Sequence, residues 1–555
     1  MISSTIFLTT NAGIKPIQSP VYDNTLNLKT STTYNTSLSI NDLPGSLTNW
    51  TWAKDQGYCT GAGTSGNPYI IQNHFFNVSA GNCIEVRHSR KYFRIINCDL
   101  TSTAPTTAGI LLENTTNGIL RENDIYEVFG GIVILNCSFI SILNNAITIS
   151  GLVGILVDNG YTLNVADNTV KMGSAGIITN DCSFATFSNN EVFDNIGVGF
   201  YFSLGYSNTV SSNTIYNNSN GILFGITDSS TLSGNTIYNN TDYGIELDGS
   251  NDNSILSNTM YGNFHGIYLH ATSEFNTISS NNAHHNLDDG IYINGSHNNT
   301  ISGNIAHHNG DEGIWSTGSD DVTFSNNNAY DNYGNGIRFN AGVDIICTGN
   351  TVYNNREYGI RVFSCDDCLI QNNNVHHNNW DGIIVFSGSQ RNIVKFNIAN
   401  YNNESGIHLD SASNNNLITD NTASYNEEHG IFLESSDSCV IMDNIANNND
   451  LNGINLVNSD NNFISSNTAN HNNHGVYLDN SNNNFILDND LSSNIVCYNE
   501  TGSIGNIFEG NICVAPPSEM DPFILGLIIG LIIGAGAFAL AIAATFFIRK
   551  KRRKE

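Results

Sequence analysis

From about residue 100 to residue 490 the chain sets single apolar residues among polar ones in short bursts, parted by Asn, Asp, Gly and Ser. The stretch NTIYNNTDYGIELDGSNDNSILS (235–257) holds three bursts, T-I-Y, G-I-E-L-D and S-I-L-S. One apolar position flanked by polar neighbours is the period-two mark of a strand with one buried face. The residues between the bursts are turn formers that tolerate left-handed backbone. The unit recurs: a Gly followed by Ile, Val or Phe returns from Gly109 to Gly475 at steps of 22 to 24 residues, and an Asn keeps the same beat from Asn213 to Asn467. Three short strands per turn of about 23 residues predict a solenoid whose strands pair with their counterparts one turn away, at roughly 4.8 Å. Asparagines buried in register can then bond to one another and to turn backbone. The pattern predicts an all-β right-handed parallel β-helix. A leucine-rich repeat has a similar period, but here the frame is Ile and the back half is rich in Asn and Ser.

The ends read differently. Residues 1–45 form a polar leader with little to pack, and MISSTIFLTTNAGIKPI lacks the basic start and apolar run of a signal peptide, so a true N-terminal signal is expected upstream. The β-helix domain spans 46–515. SLTNWTWAKDQG predicts a short helix closed by Gly57 within an N-terminal cap (46–62), with Trp50 and Trp52 over the first turn. A C-terminal cap (490–515) is bracketed by Cys497 and Cys513, the expected disulfide. A stalk (516–522) leads to 26 uncharged residues, 523–548, long enough to cross a bilayer. The basic tail 549–555 after them places the C-terminus in the cytoplasm and the β-helix outside. Gly526, Gly530 and Gly534 make a helix-pairing face for a homodimer.

Formal net charge is −30, and without the tail 14 bases face 49 acids. Such a body repels nucleic acid, which is excluded as a partner. An exterior location permits disulfides, and sequons such as Asn77-Val78-Ser79 suit an exported surface.

The G-I-x-L and N-T-I-x-x-N beats, with GTSGNPYII at 63–71, resemble NosD-like parallel β-helix proteins of the pectin-lyase-like superfamily, archaeal surface proteins among them, over about residues 57–515. The resemblance implies the fold. For function it implies a range that includes carbohydrate-binding and sugar-hydrolysing modules and a copper-delivery accessory protein.

Stacked turns convert equal positions into columns. The second residue after the repeat glycine gives an outward column that includes Tyr268, Tyr292, Trp315, Arg338 and Arg361. Aromatic faces stack on sugars and arginines pair with carboxylates, so these five form a candidate platform for an acidic glycan; the same residues also serve as plain strand formers. AHHNLDDGI (283–291) and AHHNGDEGI (306–314) place His284, His285, His307 and His308 on adjacent turns, with Asp289 and Glu312 before the glycines. Imidazole and carboxylate donors suit Cu²⁺ or Zn²⁺, and Ca²⁺ is the divalent alternative. The same histidines also read as members of a His/Tyr column that holds Tyr216, Tyr238, Tyr261, Tyr330 and Tyr353, and His376-His377 repeats the pair. The polygalacturonase motif set is not met: Asn240-Thr241-Asp242 lies in a turn, His265 stands in F-H-G, and R-I-K is missing. Asp410 and Glu434, one turn apart, are a carboxylate pair of the kind glycosidases use, but an acidic solenoid offers many. The chain therefore reads first as a cell-surface-anchored binding or structural β-helix that recognises a glycan or envelope component. A polysaccharide lyase or glycoside hydrolase is the alternative, and a NosD-like copper or other metal handler the third reading.

Overall fold

The computed structural model describes residues 32–104, 107–149 and 151–515. They form a parallel β-helix of three sheets, in which each strand pairs with its counterparts on the turns before and after. One unit runs Thr236–Tyr238, then Ile245–Asp248, then Ser254–Leu256, the three bursts of the sequence pattern. Ile237, Ile245, Leu247 and Ile255 are fully buried, so inward side chains of one rung stack on those of the next into a single continuous core.

Two asparagine ladders close the corners. In the first, Asn304 donates through N and Nδ2 to Asn327 Oδ1 (3.0 Å each), and Asn327 does the same to Asn350. Each of these amides also donates to a strand carbonyl about one rung earlier in the chain, as Asn327 does at Ile301 O (2.9 Å). The second ladder, Asn286–Asn309–Asn332–Asn355, was not apparent in the sequence reading. Its signal is the second Asn of Y-N-N and its substitutes, five residues after the first ladder. The repeat glycine is dictated by crowding: a Cβ on Gly290 would lie 2.5 Å from Gly313 O.

The coil begins earlier than the sequence reading placed it. Thr32–Tyr34 and Leu38–Asn41 are strands, and Leu38 and Ile40 are fully buried, so part of the 1–45 leader is the first turn of the solenoid. Leu38 pairs with Ile84 and Ile40 with Val86, which a tally of polar residues could not foresee. The helix Trp50–Asp55 starts at the N-cap Asn49, whose side chain accepts from Trp52 N. Trp50 is buried, stacks on Tyr69 at 4.7 Å and donates Nε1 to Ser89 Oγ at 2.9 Å. At the other end the residues expected as an irregular cap continue the sheets: Val496–Thr501 pairs with His474–Asp479, and Ile507–Glu509 with Phe485–Leu487. Cys497 and Cys513 are joined by a disulfide, Cα–Cα 5.6 Å; the other nine cysteines are buried free thiols. Among the described residues no helix is long and apolar enough to cross a membrane. The expected span 523–548, its glycine face, the stalk and the basic tail lie outside the described residues.

Candidate metal centres

The histidine pairs sit at a corner of the solenoid. His284 ends the strand Asn282–His284, His307 ends Ile305–His307, and His376 ends Asn374–His376. The next residue in each case, His285, His308 or His377, adopts φ of 52°, 53° or 57°. In a continuing strand, adjacent side chains would point to opposite faces. The left-handed residue breaks that alternation, and both rings of a pair turn outward together. Their Nδ1 atoms lie 3.0, 2.8 and 2.9 Å apart. At that spacing the two imidazoles of a pair would be able to serve as ligands of one divalent ion that prefers nitrogen donors. Without an ion, one proton must lie between them. His308 turns Nε2 towards Asp331 Oδ2 at 3.8 Å, an outer carboxylate of the kind that orients a ligating imidazole. Burial and the neighbouring imidazoles lower the His284 pKa, and push that of His307 down to about 4. Across rungs the rings stack in parallel instead of converging: His284 on His307 at 5.0 Å, His285 on His308 at 4.9 Å.

Asp289 and Glu312 do not join these histidines, which corrects the single six-residue set expected from the sequence. They precede strands of a different sheet, and the groups that converge there are His265–Asp288–Asp289 and Asp289–Asp311–Glu312, each with ligand atoms within 4.8 Å of one another. The physical reason is a column of polar residues just before the repeat glycine, of which His265, Asp289 and Asn335 accept the N–H of their counterparts on the next turn. Asp289 N donates to His265 Nδ1 (3.2 Å), Glu312 N to Asp289 Oδ1 (3.0 Å), and Tyr358 N to Asn335 Oδ1 (3.2 Å). Glu312 Oε1 also accepts from Arg338 Nη1 (2.6 Å) and Asn335 Nδ2 (3.0 Å). Burial pushes the Glu312 carboxyl up, but the hydrogen bond from Arg338 and its charge win and hold it below its ordinary range. Burial followed by the charge of Glu312 raises Asp289 strongly. Burial, then the neighbouring Glu312 carboxylate, push Asp311 up to about 7. Burial lowers His265 to about 4 and keeps it neutral. His265, Asp288 and Asp311 were missed as partners; the one available signal was their place in the two residues before each glycine.

The platform residues do share a column. The register runs Tyr268, Tyr292, Trp315, Arg338, Arg361. Yet Tyr292 is sandwiched between Tyr268 (5.0 Å) and Trp315 (4.3 Å), and Arg338 covers the far face of the Trp315 stack at 4.7 Å. The column gives solvent ring edges and hydroxyls, because successive rungs occupy the ring faces. Arg338 is spent on Glu312. Arg361 has no carboxylate within ion-pair reach among the described residues; it lies 5.0 Å from the Phe386 ring, and its Nε finds no acceptor.

With the fold and these centres in place, comparison with known proteins gives the following. Residues 265–423 match the family of right-handed β-helix regions, and residues 90–276 and 384–512 match the family described as periplasmic copper-binding protein (NosD). No curated protein matches. Similar solved structures include the periplasmic alginate epimerase AlgG (14% identity over 61% of this chain and 78% of that one, TM-score 0.30). The A-module of the Azotobacter vinelandii mannuronan C-5 epimerase AlgE6 is 15% identical over 71% of this chain and 91% of its own, TM-score 0.33. Pectate lyase Pel9A is 10% identical over 46% and 79%, TM-score 0.30. Likeness of this strength assigns no residue role here.

Proposed function

Because the NosD matches cover more than half of its residues, this chain belongs to the NosD family of β-helix proteins, and from that premise we propose that it binds copper through its adjacent histidine pairs. The observation that carries this is the Nδ1–Nδ1 spacing of 2.8–3.0 Å, repeated in three separate pairs. The donor set fits the metal: imidazole nitrogens suit copper, and these stand at an accessible corner, whereas every free thiol is buried. Copper bound there is cargo or a structural ion, and the chain's own contribution is to hold two neutral nitrogens side by side. Two doubly charged ions one rung apart, at about 4.8 Å, repel by ~3 kcal/mol even in water. Of the 284/285 and 307/308 pairs only one is therefore firmly occupied at a time, and 376/377 holds a second ion.

The chain itself supplies the control, since its neighbouring rungs carry Tyr-Asn or Tyr-Asp at this corner. In the variant His284→Tyr, His285→Asn, His307→Tyr, His308→Asn, the paramagnetic resonance signal of the Cu(II)-loaded protein should lose about half of its two-nitrogen-coupled intensity per chain, the rest coming from the 376/377 pair. An unchanged spectrum would refute the assignment.

The glycan reading is supported by Arg361 alone, a half-buried guanidinium without a carboxylate partner among the described residues, suited to a uronate on an envelope polysaccharide. The acidic body repels polyanions, so moderate salt should strengthen such binding by screening. Retention of polygalacturonate by wild type but not by Arg361→Ala is the expected result; equal retention removes this reading. We place the β-helix outside the cytoplasm, in keeping with the periplasmic description of the family, with 523–548 as its proposed membrane anchor and homodimer face.

A further inference from the structure

The carboxylates around Asp289 point to a different metal. Asp289 is fully buried and Glu312 all but fully so, yet Asp289 Oδ2 and Glu312 Oε2 have no hydrogen-bond partner. The other oxygen of each is committed: Asp289 Oδ1 accepts the Glu312 N–H, and Glu312 Oε1 takes Arg338 and Asn335. A buried carboxylate oxygen left without a donor costs several kcal/mol, and here two of them face a third carboxyl, Asp311, inside the same cluster. Four acids, Asp288, Asp289, Asp311 and Glu312, gather here, and among the described residues Arg338 is the one guanidinium ion-paired with them. Carboxylates that converge in this way need a positive charge between them, and only a proton or a metal ion can supply it.

We propose that Asp289, Asp311 and Glu312, with Asp288 at the margin, form a binding site for a hard divalent cation of the Ca²⁺ class, separate from the histidine pairs. The donors decide the class. They are oxygens, which suit Ca²⁺, Mg²⁺ and Mn²⁺ rather than copper, and the one nearby imidazole has its Nδ1 taken by the Asp289 N–H. The site also couples to the outer band, because Arg338 bridges Glu312 and the face of Trp315, and the His265 ring lies 5.2 Å from that of Tyr292. A bound ion is thereby set beside aromatic rings able to sensitise a lanthanide.

The test uses the full chain at neutral pH, with equilibrium dialysis against Ca²⁺ up to about 1 mM, the weak end of natural calcium sites, and with Tb³⁺ luminescence excited through Trp and Tyr. Wild type should retain one Ca²⁺ and show sensitised Tb³⁺ emission that Ca²⁺ quenches. Asp289→Asn/Asp311→Asn should weaken both by about tenfold or more. Asp311→Asn alone, at a half-buried position, decides the matter if circular dichroism shows the double variant misfolded. The four-histidine rung variant should keep its Ca²⁺, so loss of copper and loss of calcium report independently. Two results would overturn the proposal: no Ca²⁺ retained by wild type, which leaves protons as the shared charge, or retention that Asp311→Asn does not change.

Discussion

Glu404 and His408, two residues before and two after the repeat glycine Gly406, illustrate how this corner treats an ionisable side chain. Burial, then the charges of Asp381 and Glu428, push the Glu404 carboxyl from 4.5 up to about 7. Burial would lower His408, but its hydrogen bond to Asp381 Oδ2 at 3.0 Å prevails and raises it. Between those pH values the folded chain holds a proton on Glu404 that the unfolded chain has released. Its stabilising contribution is thus complete below about pH 4.5 and lost as pH rises through about 7. Melting curves of Glu404→Gln should lose that part of the fall in Tm across the window; parallel profiles for variant and wild type would show the carboxyl to be already ionised. At this scale the sequence was only half legible. The outward column of Tyr268 and its successors could be read from spacing alone, but not that each rung would cover the ring faces of the next. Asp289 and Glu312 stood out as acids before glycines, while their true neighbours depended on side chains bonding one turn ahead, which no residue count reveals.

At the scale of strands and corners, polar order does as much as the apolar core. Asn327→Ala would leave the Asn304 N–H and the Ile301 carbonyl without their partners inside a dry corner, at a cost of about 2–5 kcal/mol. Denaturant unfolding should move by that amount and, because a solenoid is held together by neighbouring turns, divide into two transitions; a shift below 1 kcal/mol (~) would show that water replaces the amide. The corner after each outward strand makes an opposite prediction. His285 and His308 occupy left-handed backbone, where Asn239 and Asn354 stand in other rungs at φ of 54° and 55°. His285→Asn and His308→Asn should therefore keep or raise Tm while removing copper ligands, since Asn tolerates this conformation better than His. A drop in Tm would mean that the rings hold the corner together. The histidine row was legible as a column; the turn that sets two adjacent rings side by side was not, because it requires the sign of φ.

For the whole molecule, the three-strand period, the asparagine beat and the glycine beat were enough to specify the architecture, because a repeat that buries only one or two apolar residues per burst makes a core by stacking turn on turn. The ends were harder. Leu38 and Ile40 gain burial only by pairing with strands nearly fifty residues on, and the last coil is regular where a cap was expected. Cys497 and Cys513 close that coil, so Cys497→Ser/Cys513→Ser should cost about 3 kcal/mol for a loop of this length and hasten proteolysis near residue 500, with the histidine corners untouched. Equal proteolysis would show that sheet pairing alone secures the end. The most direct measurement on the central claim is the copper content of the full chain after Cu²⁺ exposure and exhaustive dialysis. Two ions per chain are predicted for wild type, one after the 284/285/307/308 rung substitution, and none once His376→Tyr and His377→Asn are added. Copper-free wild type, or the same copper content in all three proteins, would contradict it.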